Sequence, residues 1–281
     1  MRWTPSGRSE DLEDDRGGGG SGFRLGHGIG IGGFLILLVL SFVFKRNFFT
    51  LLDTGSSGGA PATQSRPVND PAEETEVQFV SFVLDDTQKT WTLIMQQRGV
   101  QYPHAKLVLF RDGVDSACGF AQSATGPFYC PVNQKVYIDL GFYDELKRRF
   151  GAPGDFAQAY VLAHEIGHHV QRVLGIEGKV QEAMHANPGA HNDLSVRMEL
   201  QADCFAGIWA HSTEERKIIE QGDVDEALHA AASIGDDRIQ RMSGRQISPE
   251  SFTHGSSAQR VHWFQQGMNT GSVESCNTFA Q

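Results

Sequence analysis

The chain has no excess of basic residues. Lys and Arg number 24 against 34 Asp and Glu, a formal net charge of −10 with His neutral. Binding to a phosphate backbone needs clustered Lys and Arg, so a nucleic-acid partner is excluded and strongly anionic substrates are disfavoured. Cysteine is scarce: there are four, Cys118, Cys130, Cys204 and Cys276, and no two are spaced C-x2-C. That rules out a four-cysteine structural zinc site. No segment repeats internally, and neither a collagen glycine period nor a coiled-coil composition is present, so fibrous and solenoid architectures drop out.

What remains is a chain of 281 residues, 40% hydrophobic and 10% aromatic, enough for one sizeable domain with an appendage. The N-terminal quarter differs in character from the rest. Residues 1–24 are polar, mixed in charge and contain Gly17-Gly18-Gly19-Gly20, which reads as a disordered tail. Leu25–Phe44 carries no formal charge with His27 neutral, and about 20 residues at 1.5 Å rise span a bilayer core, so it reads as a transmembrane helix. A signal peptide is disfavoured, because Lys45 and Arg46 follow the apolar run directly and no small-x-small site sits there. Arg8, Arg16 and Arg24 before the span give a thin bias towards a cytoplasmic N-terminus. Asp53–Glu76 is rich in Gly, Ser, Pro and Thr, and residues 45–76 read as a flexible linker, leaving 77–281 as the folded domain.

All four cysteines lie beyond the span. An even number there points to two disulfides in an oxidising space, on the periplasmic or extracellular side. Three pairings are possible; Cys118 with Cys130 closes a short loop, which leaves Cys204 with Cys276. Within the domain, Val77–Arg98 has mostly helical apolar spacing, while Lys106–Phe110 and Lys135–Leu140 look like strands. Helices are expected at Phe142–Phe150, from Phe156 to about Leu174 after a cap at Asp155, and at Ser195–His211, Val224–Met242 and Ala258–Met268. Few strands and many helices make an α+β domain.

One segment carries chemistry: His164-Glu165-Ile166-Gly167-His168, an H-E-x-x-H pattern inside a helix. Residues four apart share a helical face, so His164 and His168 can bind one Zn2+. Glu165 lies about 100° round the helix, within reach of an attacking water without being a ligand. Two histidines leave such a site one protein ligand short. The metzincin pattern is excluded, because Gln171 and Leu174 stand where its Gly and His would be. A second helix offers Glu199 and Asp203, again four apart, among Leu200, Cys204, Phe205 and Ile208. Unpaired carboxylates are costly on a buried helix, and metal binding removes that cost. Glu199 is assigned as third ligand and Asp203 as the acceptor that orients a ligand histidine, with the reverse assignment left open.

The other histidines call for restraint. His169 points elsewhere on the helix and reads as structural or rim; His185 and His191 read as loop residues. His254 and Arg260 remain as candidates for stabilising the oxyanion of a tetrahedral intermediate, against the plainer reading of a helix start with a surface Arg. Lys135–Leu140 could pair with an extended substrate if it is an edge strand, or be a plain core strand.

Several motifs in order resemble one bacterial family. Cys118-Gly119, Gly126-Pro127-Phe128-Tyr129-Cys130-Pro131, Val136-Tyr137-Ile138-Asp139-Leu140, Ala159 through Gln171 and Glu199-Leu200-Gln201-Ala202-Asp203-Cys204 are similar to the neutral zinc metallopeptidases. The resemblance covers nearly the whole chain and implies a zincin-like domain, zinc, and a single N-terminal membrane helix. The site is also similar to that of gluzincin membrane peptidases, which share Glu-x-x-x-Asp after H-E-x-x-H. Their later His-Pro…Arg segment is echoed by His254 and Arg260, with Gly255 where that pattern has Pro.

The sequence therefore reads as a membrane-anchored zinc endopeptidase acting on protein or peptide, with Glu165 as general base. The alternative is a zinc-binding, non-catalytic scaffold or adaptor at the membrane. Hydrolysis of a non-peptide amide is a third possibility.

Overall fold

The computed structural model describes residues 1–17, 71–122, 126–150, 154–244 and 246–280. The expected membrane helix at 25–44 and most of the expected linker lie outside them. The described chain is mainly helical with a small sheet, an α+β arrangement.

In order, the elements are β1 (Leu12–Asp14), α1 (Pro71–Gln97), β2 (Lys106–Phe110), β3 (Gly113–Ser116), β4 (Gly119–Gln122), β5 (Phe128–Cys130) and β6 (Lys135–Asp139). They continue with α2 (Gly141–Phe150), α3 (Asp155–Val173), α4 (Ile176–Ala186), α5 (His191–Glu215), α6 (Asp223–Ser233), α7 (Asp236–Met242) and α8 (Ser257–Thr270). The larger sheet has the order β1-β2-β6-β5, with β5 antiparallel on its edge; β3 and β4 form a separate hairpin. Lys135–Asp139 is thus an interior strand, flanked by β2 and β5. The edge that an extended substrate could use belongs to β5.

Helix α3 runs through the core. It carries fourteen buried residues, packed against the rest of a core that includes Trp91, Trp209, Phe156 and Phe205. Gly154 precedes it without a side-chain cap, so Asp155 is its first residue rather than its cap. Gly175, at φ 70°, closes it in the left-handed conformation that glycine adopts at low cost. The expected single helix over 224–242 is broken in two. Gly235 is extended there, and a Cβ on it would lie 2.3 Å from the backbone nitrogen of Ser257, so the chain bends where α8 crosses. Both disulfides form as expected, Cys118 with Cys130 and Cys204 with Cys276.

The N-terminal tail is the largest departure from expectation. Residues 1–17 are not disordered: they form one compact unit with the domain. Strand β1 pairs in parallel with β2, Leu12 opposite Leu107. Trp3 packs edge-on against Phe79 with ring centroids 5.3 Å apart. Much of the mixed charge that suggests disorder is paired. Arg16, whose side chain is fully buried, donates to both oxygens of Asp14 at 2.7 Å and to Glu73 Oε2 at 2.9 Å. Arg8 bridges Asp14 and Glu74. The Met1 ammonium lies 2.9 Å from Asp155 at the start of α3 and 3.3 Å from Asp223. Glu73 and Glu74 belong to the first turn of α1, which begins inside the expected linker.

Two measurements check the arrangement. Arg16→Ala should cost about 3 kcal/mol in urea unfolding, since it strands buried carboxylates. In intact cells, Ser6→Cys and Glu182→Cys should react with an impermeant maleimide from the same side; opposite accessibilities would overturn the packing.

Candidate metal and catalytic site

The site is assembled where three helices touch closely. Gly167, the fourth residue of the H-E-x-x-H motif, faces α5: a Cβ there would sit 2.9 Å from the carbonyl oxygen of Ala202. Gly267 plays the same part between α8 and α5, where a Cβ would lie 1.9 Å from the carbonyl oxygen of Cys204. Backbones this close bring the side chains of α3, α5 and α8 onto one point. The Cys204–Cys276 disulfide and a hydrogen bond from Gln201 to the Cys276 carbonyl fasten the C-terminal segment to α5.

His164, His168 and Glu199 converge as the helical spacing predicts. Nε2 of His164 lies 3.2 Å from Glu199 Oε2, and Nε2 of His168 lies 3.4 Å from Oε1. One donor atom from each lies within 4.8 Å of the other two. Ligands about 2.1 Å from a tetrahedral zinc sit about 3.4 Å from one another, so this nitrogen–nitrogen–carboxylate set fits zinc in both spacing and chemistry. Burial opposes ionisation of Glu199, but the two histidines outweigh it and hold its carboxyl well below the usual range. Burial likewise opposes the charged form of His164, yet Asp203 and Glu199 prevail and push it up to about 10.

The far nitrogens of both rings are held. His164 Nδ1 is 2.8 Å from Asp203 Oδ1, and His168 Nδ1 is 2.9 Å from Gln171 Oε1. Gln171 in turn donates to the carbonyl of Met198 and to Gln201. Asp203 is fully buried and fully committed. Its Oδ1 accepts from Tyr160 Oη at 2.5 Å and Arg260 Nη2 at 2.9 Å, and its Oδ2 accepts from Arg260 Nε at 2.8 Å. That leaves Glu199 as the carboxylate turned towards the two Nε2 atoms.

Arg260 is therefore not positioned as the sequence suggested. Its side chain is 3% exposed and its Nε and Nη2 are bonded to Asp203, so at the cavity wall it braces that carboxylate. His254 does face the cavity. Its Nδ1 lies 3.2 Å from Asp236 Oδ1, and the backbone amides of Thr253, His254 and Gly255 all donate to the other oxygen of Asp236. The bond to Asp236 raises the imidazole's pKa against burial; Glu199 adds to the rise and Arg260 opposes it.

Glu165 lines the same cavity of about 760 Å3 as His164, His168, Glu199 and His254. Burial raises its carboxyl above the ordinary value, against the pull of the two histidines. His169 is buried and structural. It accepts from Tyr129 Oη at 3.0 Å and donates to the Pro103 carbonyl at 2.7 Å, tying edge strand β5 to α3. Burial lowers its pKa, in keeping with a neutral ring.

Tyr160 and Gln171 are the functional residues that sequence reasoning missed. Tyr160 is four residues before His164 and Gln171 three after His168, so the same helical period places them on the site face. Gly167→Ala should test the close packing. The expected result is at least tenfold weaker zinc binding by competition with a chelator, with helical circular dichroism retained; unchanged affinity would contradict it.

YpfJ of Escherichia coli K12 is 46% identical over 290 residues, covering 100% of this chain and 99% of its own. Mb2605 of Mycobacterium bovis and Rv2575 of Mycobacterium tuberculosis H37Rv are each 44% identical over 193 residues, 65% of this chain and 64% of theirs. No solved structure matches. A family description, putative neutral zinc metallopeptidase, matches residues 1–279, and the chain belongs to that family.

Proposed function

We propose that the chain is a zinc-dependent endopeptidase. One observation carries the reading: two imidazole Nε2 atoms and one carboxylate converge in a cavity, with each ring's other nitrogen already held. His164, His168 and Glu199 would be the ligands. Three protein ligands leave a coordination position open, which suits catalysis better than a structural site. When bound, zinc supplies a Lewis acid that polarises the scissile carbonyl and acidifies water.

The chain's own groups supply the rest. Asp203 and Gln171 fix the rotation and tautomer of the two rings, because each accepts the Nδ1 proton. Glu165 accepts no hydrogen bond from another described side chain and is raised in pKa, so it is suited to take a proton from the attacking water. It then returns that proton to the leaving amine. His254, whose charged form the bond to Asp236 favours, faces the negative charge that develops on the former carbonyl oxygen. Edge strand β5, whose Phe128 and Tyr129 line the cavity, offers backbone groups to an extended peptide. The two disulfides favour an oxidising workplace.

Two outcomes check this reading. Zinc-loaded Glu165→Gln should keep one equivalent of metal and lose about 10²–10⁴ in kcat on a casein or peptide-mixture substrate; full activity would sink the mechanism. The role of His254 predicts an alkaline limb in kcat/KM. Its pKa is raised, so its charge is present at lower pH and is lost as pH rises through that value. Asp236→Asn should move the limb to lower pH, whereas an unmoved limb would remove His254 from the mechanism.

A further inference from the structure

Helix α7 has an apolar face without a structural reason. The one residue it buries is Asp236. The helix is held by polar bonds: Asp236 to the amides of residues 253–255, and Asp237 to Ser257. Its two large apolar side chains, Ile239 and Met242, are three residues apart on one face and are 39% and 49% exposed. Core formation does not use them, and both line the cavity that contains His164, Glu165 and His168. Exposed apolar side chains gathered at a cavity mark a binding surface more often than chance placement does.

The composition of that wall is specific. Met184 from α4, Met198 from α5 and Met242 from α7 place three of the chain's six methionines round one cavity. Methionine is unbranched and polarisable, so a wall of it adapts to apolar groups of different shape. The arginine lining the cavity is already spent on Asp203, so it offers no charge to an acidic substrate residue.

We propose that Ile239 and Met242, with Met184 and Met198, determine specificity by seating a large apolar side chain of the substrate next to the scissile bond. The occupant is a peptide residue such as Leu, Met or Phe, accepted broadly. This rests on the peptidase reading for the word scissile, but the recognition itself is separable from hydrolysis.

The test uses the full-length, zinc-loaded chain carrying Glu165→Gln and fluorescein-labelled ten-residue Gly/Ser peptides with one central Phe, Leu, Asp or Lys. Binding is read by fluorescence anisotropy. The expected result is that Phe and Leu peptides bind at least tenfold tighter than Asp and Lys peptides. Adding Ile239→Gln with Met242→Gln should reduce that preference to threefold or less, with zinc content and Tm unchanged, since both positions are partly exposed. Equal binding of the four peptides, or a preference untouched by the two Gln substitutions, would overturn the proposal. If the Phe peptide binds to the Glu165→Gln chain but is not cut by the zinc-loaded wild type, the peptidase reading fails while apolar recognition stands.

Discussion

The whole site depends on one buried carboxylate. Asp203 has no solvent exposure, and an isolated ion in such a place would be strongly unfavourable. Its oxygens are satisfied by Arg260 from α8, Tyr160 and His164 from α3, and its own backbone is on α5. Three helices are thus pinned to a single charged group. Losing Arg260 leaves the charge uncompensated, and losing Tyr160 or His164 leaves an oxygen short of a donor, so the arrangement is cooperative rather than a sum of contacts. The glycines at 167 and 267 are what let the helices approach closely enough for these bonds to form.

The same carboxylate links packing to chemistry. By accepting from His164 Nδ1 it turns Nε2 towards Glu199 and His168. Gln171 does the corresponding work for His168 with a neutral amide, anchored on the Met198 carbonyl of α5. Both ring orientations therefore depend on the α3–α5 contact. His169 extends this order to the sheet, since its bonds to Tyr129 and Pro103 set β5 beside the cavity.

Much of this was legible in the sequence, for a definite reason. H-E-x-x-H and Glu-x-x-x-Asp are local patterns, and a helix converts fixed spacing into a shared face. The roles of Tyr160 and Gln171 follow from the same period, although Tyr and Gln carry no metal-binding signal of their own. The bond between Arg260 and Asp203 was not legible because the two lie 57 residues apart in sequence, and no local rule reveals a buried ion pair across two helices. The break at Ile234–Gly235 has a similar origin: the bend follows the crossing of Ser257, not a helix-stopping composition. Residues 1–17 were misread most fully. Their polar, charged composition is that of a solvated tail, yet the Met1 ammonium, Arg8 and Arg16 find complements on α3, α6 and α1. Composition reports how much apolar surface a segment can bury, not whether its charges match a surface encoded elsewhere.

On this reading the imidazoles of His164 and His168 and the Glu199 carboxylate would hold a single zinc ion. Zinc K-edge X-ray absorption on the full-length chain loaded with one equivalent of zinc tests it most directly. The expected shell is two imidazole nitrogens and oxygen ligands, with no sulfur, and stoichiometric binding should be lost in Glu199→Ala. A sulfur-containing shell, or an unchanged spectrum in Glu199→Ala, would contradict it.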